Sequence, residues 1–253
     1  MKRVLVVGGS DSGGGAGIQA DLKTLHALGV HVSTVITAVT AQSTVAVDEI
    51  HPVPPATVSA QLRAVLDDIG ADVVKTGMLA TAAVVRAVAR ALTGQPLVVD
   101  PVGVASTGRA LLEPEALAVL RTELLPLATV VTPNLAEVEA LTGVVVTSSD
   151  DLEDAARAVH ALGPAWVLIT GGHLPGSPLD LLYDGHQAIR LEGTRIETVH
   201  THGSGCTLAS ALAGYLALGH EVPDAATRAK ELTARAIARG YPLGAGSGPV
   251  RQG

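Results

Sequence analysis

The chain has no phenylalanine, one cysteine, one tryptophan and two methionines among its 253 residues. A single thiol excludes an intramolecular disulfide and points to a reducing compartment, so a cytoplasmic protein is expected. Aromatic residues make up 2% of the chain, leaving Trp166, Tyr183, Tyr215 and Tyr241 as the side chains able to stack on a ring. A heteroaromatic ligand would therefore sit among aliphatic or sulfur-bearing groups. Basic runs are also missing and the formal net charge is −7, which argues against nucleic acid or an anionic membrane surface as the main partner. A small molecule suits that balance better. The opening MKRVLVVGGSDSGG has only the short apolar run Val4–Val7, too little for the core of a signal peptide. Longer apolar stretches are interrupted by charge, as by Arg86 and Arg90, so the mean hydropathy of +0.39 reads as a buried core rather than a membrane span.

What is present is alternation. β-Branched runs near 3–7, 33–39, 72–75, 96–99, 128–131 and 165–169 read as strands. Helical periods lie between them, near 15–28, 55–69, 81–93, 113–124, 135–142 and 151–162. Apolar strands separated by helices imply an α/β fold with a mainly parallel sheet covered on both faces. Asp184-Gly185 between two strand-like runs signals a hairpin. Helices near 206–219 and 224–239 follow, and the glycine-rich tail GAGSGPVRQG is expected to be a surface loop or frayed end. Residues 1–253 are expected to form one domain. Glycine-bearing or polar stretches follow the strands at 8–17, 40–42, 76–78, 100–103, 132–134 and 171–173. Parallel strands share one carboxyl edge, so these stretches converge on one crevice.

Several of them carry chemistry. GAGIQA at 15–20 fits a loose dinucleotide turn, but the second strand ends in VITAVTAQ without the acid such a fold needs, and no Lys-Ser or Lys-Thr closes a P-loop. Asp21 borders a helix stripe expected to bury Ile18, Leu22 and Leu25, where a carboxylate needs a partner; a solvated helix edge is the alternative. Asp100 ends a buried strand. Asn134 and Glu137 stand three apart at a helix start, suited to a divalent ion held by few carboxylates, although Asn134 alone also fits a helix N-cap.

Gly203-Ser204-Gly205-Cys206 ends a glycine run where a helix begins. Free N–H groups and the helix dipole would meet there, a geometry that binds an oxyanion and lowers the pKa of a thiol; a small packed residue is the plainer alternative. His200, His202 and Cys206 do not have the spacing of the common zinc sites.

Taken in order, GGSDSGGGAGIQADLKTLHALG, TAVTAQST, VKTGMLA, VVDPV, TPNLAEVEALTG, GGH and THGSGCTLASALA resemble the hydroxymethylpyrimidine and hydroxymethylpyrimidine-phosphate kinases of thiamin biosynthesis, within the ribokinase superfamily. The resemblance runs over nearly the whole chain. It implies a three-layer α-β-α ribokinase-like fold and transfer of phosphate from ATP, with Mg²⁺, to the pyrimidine's hydroxymethyl group and then to the monophosphate. By position, Gly9, Asp21 and Gln42 would hold the pyrimidine, with Met78 against its ring. Asn134, Thr170, Gly171 and Gly172 would serve the nucleotide, Asp100 and Glu137 the metal, and Gly203–Cys206 the transferring phosphoryl group. Most of the superfamily has an aspartate base where Cys206 stands, so the thiol is expected to act both as proton acceptor and as part of the anion loop. A homodimer is the expected assembly. The chain departs from many relatives in having Thr170 and Ser106 at positions of two lysines; Lys75, Arg109 or backbone N–H groups are the candidates to compensate. The competing expectations are a pyridoxal or pyridoxine kinase, a hydroxyethylthiazole kinase, which the Asp21 and Gln42 pattern disfavours, and a non-catalytic pyrimidine-binding regulator.

Overall fold

The computed structural model describes residues 1–253 except Thr93, Ser106, Thr107, His173, Pro175 and Ser177. The end of the expected helix 81–93, the lysine-replacing Ser106 and the histidine of Gly-Gly-His thus lie outside the described residues. Along the chain run β1 (Arg3–Asp11), α1 (Gly17–Ala27), β2 (His31–Gln42), β3 (Val47–Pro52), α2 (Pro55–Leu66), β4 (Val73–Thr76), α3 (Ala82–Ala91) and β5 (Leu97–Val99). Then come α4 (Pro114–Val119), β6 (Val130–Val131), α5 (Leu135–Thr142), α6 (Leu152–His160), β7 (Trp166–Ile169), β8 (Leu179–Tyr183), β9 (Ala188–Glu192), α7 (Ser204–Ala217) and α8 (Val222–Ala238).

The nine strands form one sheet in the order β3-β2-β1-β4-β5-β6-β7-β8-β9. Pairings from β2 through β7 are parallel, while β3 at one end and β8 and β9 at the other are antiparallel. Side chains alternate across a strand, so Leu5, Val7, Val74, Val99 and Val131 enter the core beneath α2 to α6, while Val4, Val6, Val73, Val98 and Val130 enter the core beneath α1, α7 and α8. Both faces are buried, which is why these strands lack a polar alternate residue. Each such side chain contributes roughly 1.5–3 kcal/mol of burial.

The structure departs from the expectations at four places. Strand β3 was not foreseen: its residues other than Val47 are not buried, and acidic residues with Pro52 suit an edge strand rather than a core one. The expected helix 113–124 is α-helical only to Val119 and widens into a π turn over Leu120–Leu124, because Pro126 lacks the N–H that would continue it. In α1, Leu22 is 36% exposed and Asp21 only 1%, so the carboxylate itself belongs to the inward stripe with Ile18 and Leu25. The tail is not frayed. Val250 is buried and its N–H donates to the His202 carbonyl, while the Gln252 side-chain amide donates to the Gly15 carbonyl. Among the described residues no helix is long and apolar enough to cross a membrane.

Candidate active site

The carboxyl ends of β1, β2, β4, β5 and β6 open on a cavity of about 660 Å³ that also takes in the start of α7. Of the residues singled out in the sequence for substrate, nucleotide, metal or phosphoryl contact, all but Gly171 and Gly172 line it. Those two shape the β7–β8 connection instead: the Gly171 N–H donates to Asp180 at 3.0 Å, and the Gly172 carbonyl accepts from Arg195 at 3.2 Å. On one wall Met78, Ala38 and Ala80 form a small apolar group with Ile50, Val102 and Leu111. A side chain at Gly9 would place its Cβ 2.9 Å from the Met78 sulfur, so glycine there leaves room for a flat ligand beside the thioether.

A charged cluster lines the same cavity. Lys75, 1% exposed, places Nζ 3.0 and 3.1 Å from the two carboxylate oxygens of Asp21 and 3.8 Å from Asp100 Oδ2. Ser210 on α7 donates to Asp21 at 2.6 Å. Three hydrogen bonds occupy three of the roughly four acceptor sites of a carboxylate, so Asp21 retains one for a ligand. Burial opposes a charged Lys75, but Asp21, Cys206 and Asp100 outweigh it and raise its pKa. The ammonium is therefore bound in place and not free to reach a phosphate. Arg109, the other candidate for the missing lysines, donates to the Val47 and Asp48 carbonyls at 2.8 and 3.1 Å.

Asn134 caps α5 in a reciprocal box: its side chain accepts from the Glu137 N–H and Glu137 accepts from the Asn134 N–H, both at 2.9 Å. Burial first, and Asp100 next, push Glu137 up to about 8. Burial likewise pushes Asp100 up to about 6, against the pull of Lys75. The buried Asp100 Oδ2 accepts no hydrogen bond among the described residues. Two carboxylates that resist ionisation, one with an orphaned oxygen, fit a hard divalent cation. Mg²⁺ is commonly held by one or two carboxylates, water and phosphate oxygens.

A pH dependence follows. Acids with raised folded pKa values hold protons that the unfolded chain has released, so stability falls as pH rises from the unfolded to the folded value. Without divalent cation or nucleotide, Tm is expected to fall by roughly 5 °C between pH 5 and pH 8. Melting curves should show the fall flattened in Asp100→Asn; an unchanged slope in that variant would count against the assignment.

At the start of α7, Gly203 is in the left-handed region at φ 82° and packs on the first glycine loop: a Cβ there would lie 1.9 Å from the Gly15 carbonyl oxygen. The Gly205 and Cys206 N–H groups, in the first turn, have no acceptor within the helix, and both residues line the cavity, an arrangement suited to an anion. Cys206 lies in the same turn. It is half-buried, and burial pushes its thiol up to about 12 despite Lys75, with Asp100 and Asp21 adding to the rise. Burial thus opposes the thiolate that the helix start favours.

Asp11 ties the two glycine loops together. Its carboxylate accepts from the Gly13, Gly15 and Ala16 N–H groups at 2.8–3.0 Å and meets His202 Nε2 at 3.2 Å. Burial alone would raise its pKa, but the bonds from His202, Ala16 and Gly13 hold it below the ordinary range. Sequence reasoning passed over Asp11, Ser210 and the ion-pairing role of Lys75. A lysine inside the apolar run DVVK was the available signal for the last.

Residues 11–251 match the family model described as phosphomethylpyrimidine kinase. The chain is 56% identical over 252 residues to the hydroxymethylpyrimidine/phosphomethylpyrimidine kinase of Streptomyces coelicolor, covering 99% of this chain and 94% of that protein. An ADP complex of Bacillus subtilis pyridoxal kinase superposes with a TM-score of 0.93 at 40% identity, over 100% of this chain and 97% of that one. The phosphomethylpyrimidine kinase of Clostridium difficile gives 0.83 at 38% identity, over 94% of this chain and 100% of that one.

Proposed function

The chain belongs to the phosphomethylpyrimidine kinase family, and on that premise we propose that its cavity carries the γ-phosphoryl group of ATP to the hydroxymethyl oxygen of 4-amino-5-hydroxymethyl-2-methylpyrimidine, and then to the monophosphate. The observation that carries this is the shared cavity itself: Gly9, Gln42 and Met78 line it together with the N–H groups that open α7 and the carboxylates of Asp100 and Glu137. The pyrimidine would lie against Met78, with Gln42 and the one remaining acceptor site of Asp21 on its polar edge. The hydroxymethyl oxygen forms the new P–O bond as the bond from Pγ to the ADP oxygen breaks, and its proton leaves late, to an oxygen of the transferred phosphoryl group. Phosphoryl transfer of this kind passes through a loose transition state and depends on position and charge neutralisation more than on a strong base. The Gly205 and Cys206 N–H groups would meet the charge on the transferring group. Asp100 and Glu137 would hold Mg²⁺, which neutralises phosphate oxygens and makes ADP a better leaving group.

Residues 1–253 acting as one kinase domain, a cytoplasmic location and a homodimer are parts of the same proposal. The dimer is supported by the exposed Val39 and Val45 beside the open edge of β3. A second reading, turnover of pyridoxal, is favoured by the TM-score of 0.93 to a pyridoxal kinase. A coupled assay of ADP release with the hydroxymethylpyrimidine, its monophosphate, pyridoxal and hydroxyethylthiazole, with and without Mg²⁺, separates these. Activity confined to pyridoxal overturns the substrate; tight pyrimidine binding without turnover of any alcohol overturns catalysis.

The thiol gives a sharper expectation. Since burial raises the Cys206 pKa, Cys206→Ser should keep kcat within about tenfold of the parent, because removing a true general base costs about 10²–10⁴-fold. The kcat profile from pH 6 to pH 9 should keep its shape. A new acid limb, or a loss beyond a hundredfold, would return the base role to the sulfur.

A further inference from the structure

His202 stands just before the anion loop, with Nε2 3.2 Å from Asp11 Oδ2 and 3.5 Å from Gln42 Nε2. A carboxylate that is ionised only accepts, so Nε2 carries a proton directed at Asp11. A protonated Nε2 has no lone pair for an amide N–H, and two donors then face each other. At the other end of the same carboxamide, Thr40 Oγ1 is 2.9 Å from the Ser10 carbonyl and 3.3 Å from Gln42 Oε1. The hydroxyl has one proton, the nearer carbonyl takes it, and two acceptors face each other. Half a turn of the carboxamide about its last bond relieves both mismatches together: the NH₂ group then donates to Thr40, and the oxygen, 3.5 Å from Nε2, becomes the second and weaker acceptor of the N–H that Asp11 also takes. One N–H and one carbonyl lone pair remain, side by side, for the cavity. That pair complements an aminopyrimidine edge, whose ring nitrogen accepts and whose amino group donates, in the way a Gln side chain reads adenine. A pyridine ring bearing a hydroxyl has no amino donor to offer.

We infer that His202 is a specificity-determining positioning residue: anchored on Asp11, its Nε2–H fixes which end of the Gln42 carboxamide meets the substrate ring, and so sets a preference for an aminopyrimidine alcohol over a hydroxypyridine alcohol. The anchor is firm because Asp11 is 4% exposed and is held by three backbone N–H groups of the glycine loop. The inference rests on the proposed contact between Gln42 and the pyrimidine, and the test keeps the two apart.

Steady-state kinetics of the full chain with hydroxymethylpyrimidine and with pyridoxal, at saturating MgATP, would be measured for the parent, His202→Leu, His202→Gln and Gln42→Ala. In His202→Leu the KM for the pyrimidine should rise about threefold, the low end of what one hydrogen bond is worth, with kcat changing less than KM and the ratio of kcat/KM values shifting toward pyridoxal. His202→Gln, whose Nε2 reaches a similar place, should recover most of the ratio. Should His202→Leu fail to fold, His202→Asn, too short to reach both partners, replaces it. A fall in kcat with KM and the substrate ratio unchanged in the histidine variants, while Gln42→Ala raises the pyrimidine KM, overturns the role of His202 alone. No change of KM in Gln42→Ala overturns the pyrimidine contact as well.

Discussion

Replacing Gly203 by alanine is expected to lower kcat by about 10²–10³, the effect of misplacing a donor that meets charge in a transition state. The added Cβ would lie 1.9 Å from the Gly15 carbonyl oxygen, well inside contact distance, and the backbone there has φ 82°, a conformation that costs a non-glycine residue about 1–3 kcal/mol. Neither loop yields easily. Gly15 has its N–H bound to the buried Asp11, and the residue before Gly203 is paired on its backbone to Gly248 and Val250. The first turn of α7 must therefore rotate or retreat, taking the Gly205 and Cys206 N–H groups with it. Turnover at saturating MgATP, measured beside the melting temperature, separates loss of the anion loop from loss of the fold. A kcat within threefold of the parent would show that the loop is not where the phosphoryl group is met.

The second large effect falls on stability. Lys75→Met keeps the length of the side chain but strands Asp21 and Asp100 in a site where all three are buried. Removing one partner of a buried ion pair costs about 3–5 kcal/mol, and Tm should fall on the order of 10 °C. The folded pKa of Lys75 lies above its ordinary value of 10.5. Its contribution is thus complete below that ordinary value and fades only as pH rises through the folded one, so measurement at neutral pH reads it in full. Lys75→Met with Asp21→Asn should recover part of the loss by removing one stranded charge. Urea unfolding that places the single variant within about 1 kcal/mol of the parent, close to the margin of an ordinary surface substitution, would mean that the cluster is not the buried ion network described.

The sheet was legible in the sequence because both of its faces are apolar: Val4–Val7, Val73–Val74 and Leu97–Val99 announce themselves without any knowledge of their neighbours. The crevice followed from the same pattern, since parallel strands end on one edge. What escaped was long-range pairing between polar side chains. Lys75 and Asp21 are 54 residues apart, and Asp11 and His202 are 191 apart; no local periodicity encodes such contacts. The anchoring of the tail escaped for the same reason, as Val250 finds its place only against segments far from it in sequence. Strand β3 was missed because an edge strand with one buried side chain has almost no hydrophobic signature. For Cys206 the local cue was sound and incomplete: glycines and a helix start do make an anion loop, but the burial that governs the thiol comes from the packed cluster behind it.

The cap of α5 has a bearing on how such sequences drift. Asn134 and Glu137 close the helix on each other whether or not phosphate is ever transferred, so selection for a folded protein alone is enough to retain them. A duplicated copy that had lost catalysis would keep Asn-x-x-Glu long after its anion loop decayed. In a diverging descendant Gly205, where an added Cβ would meet nothing within 4 Å, has no packing reason to stay glycine and is the better witness to a living kinase.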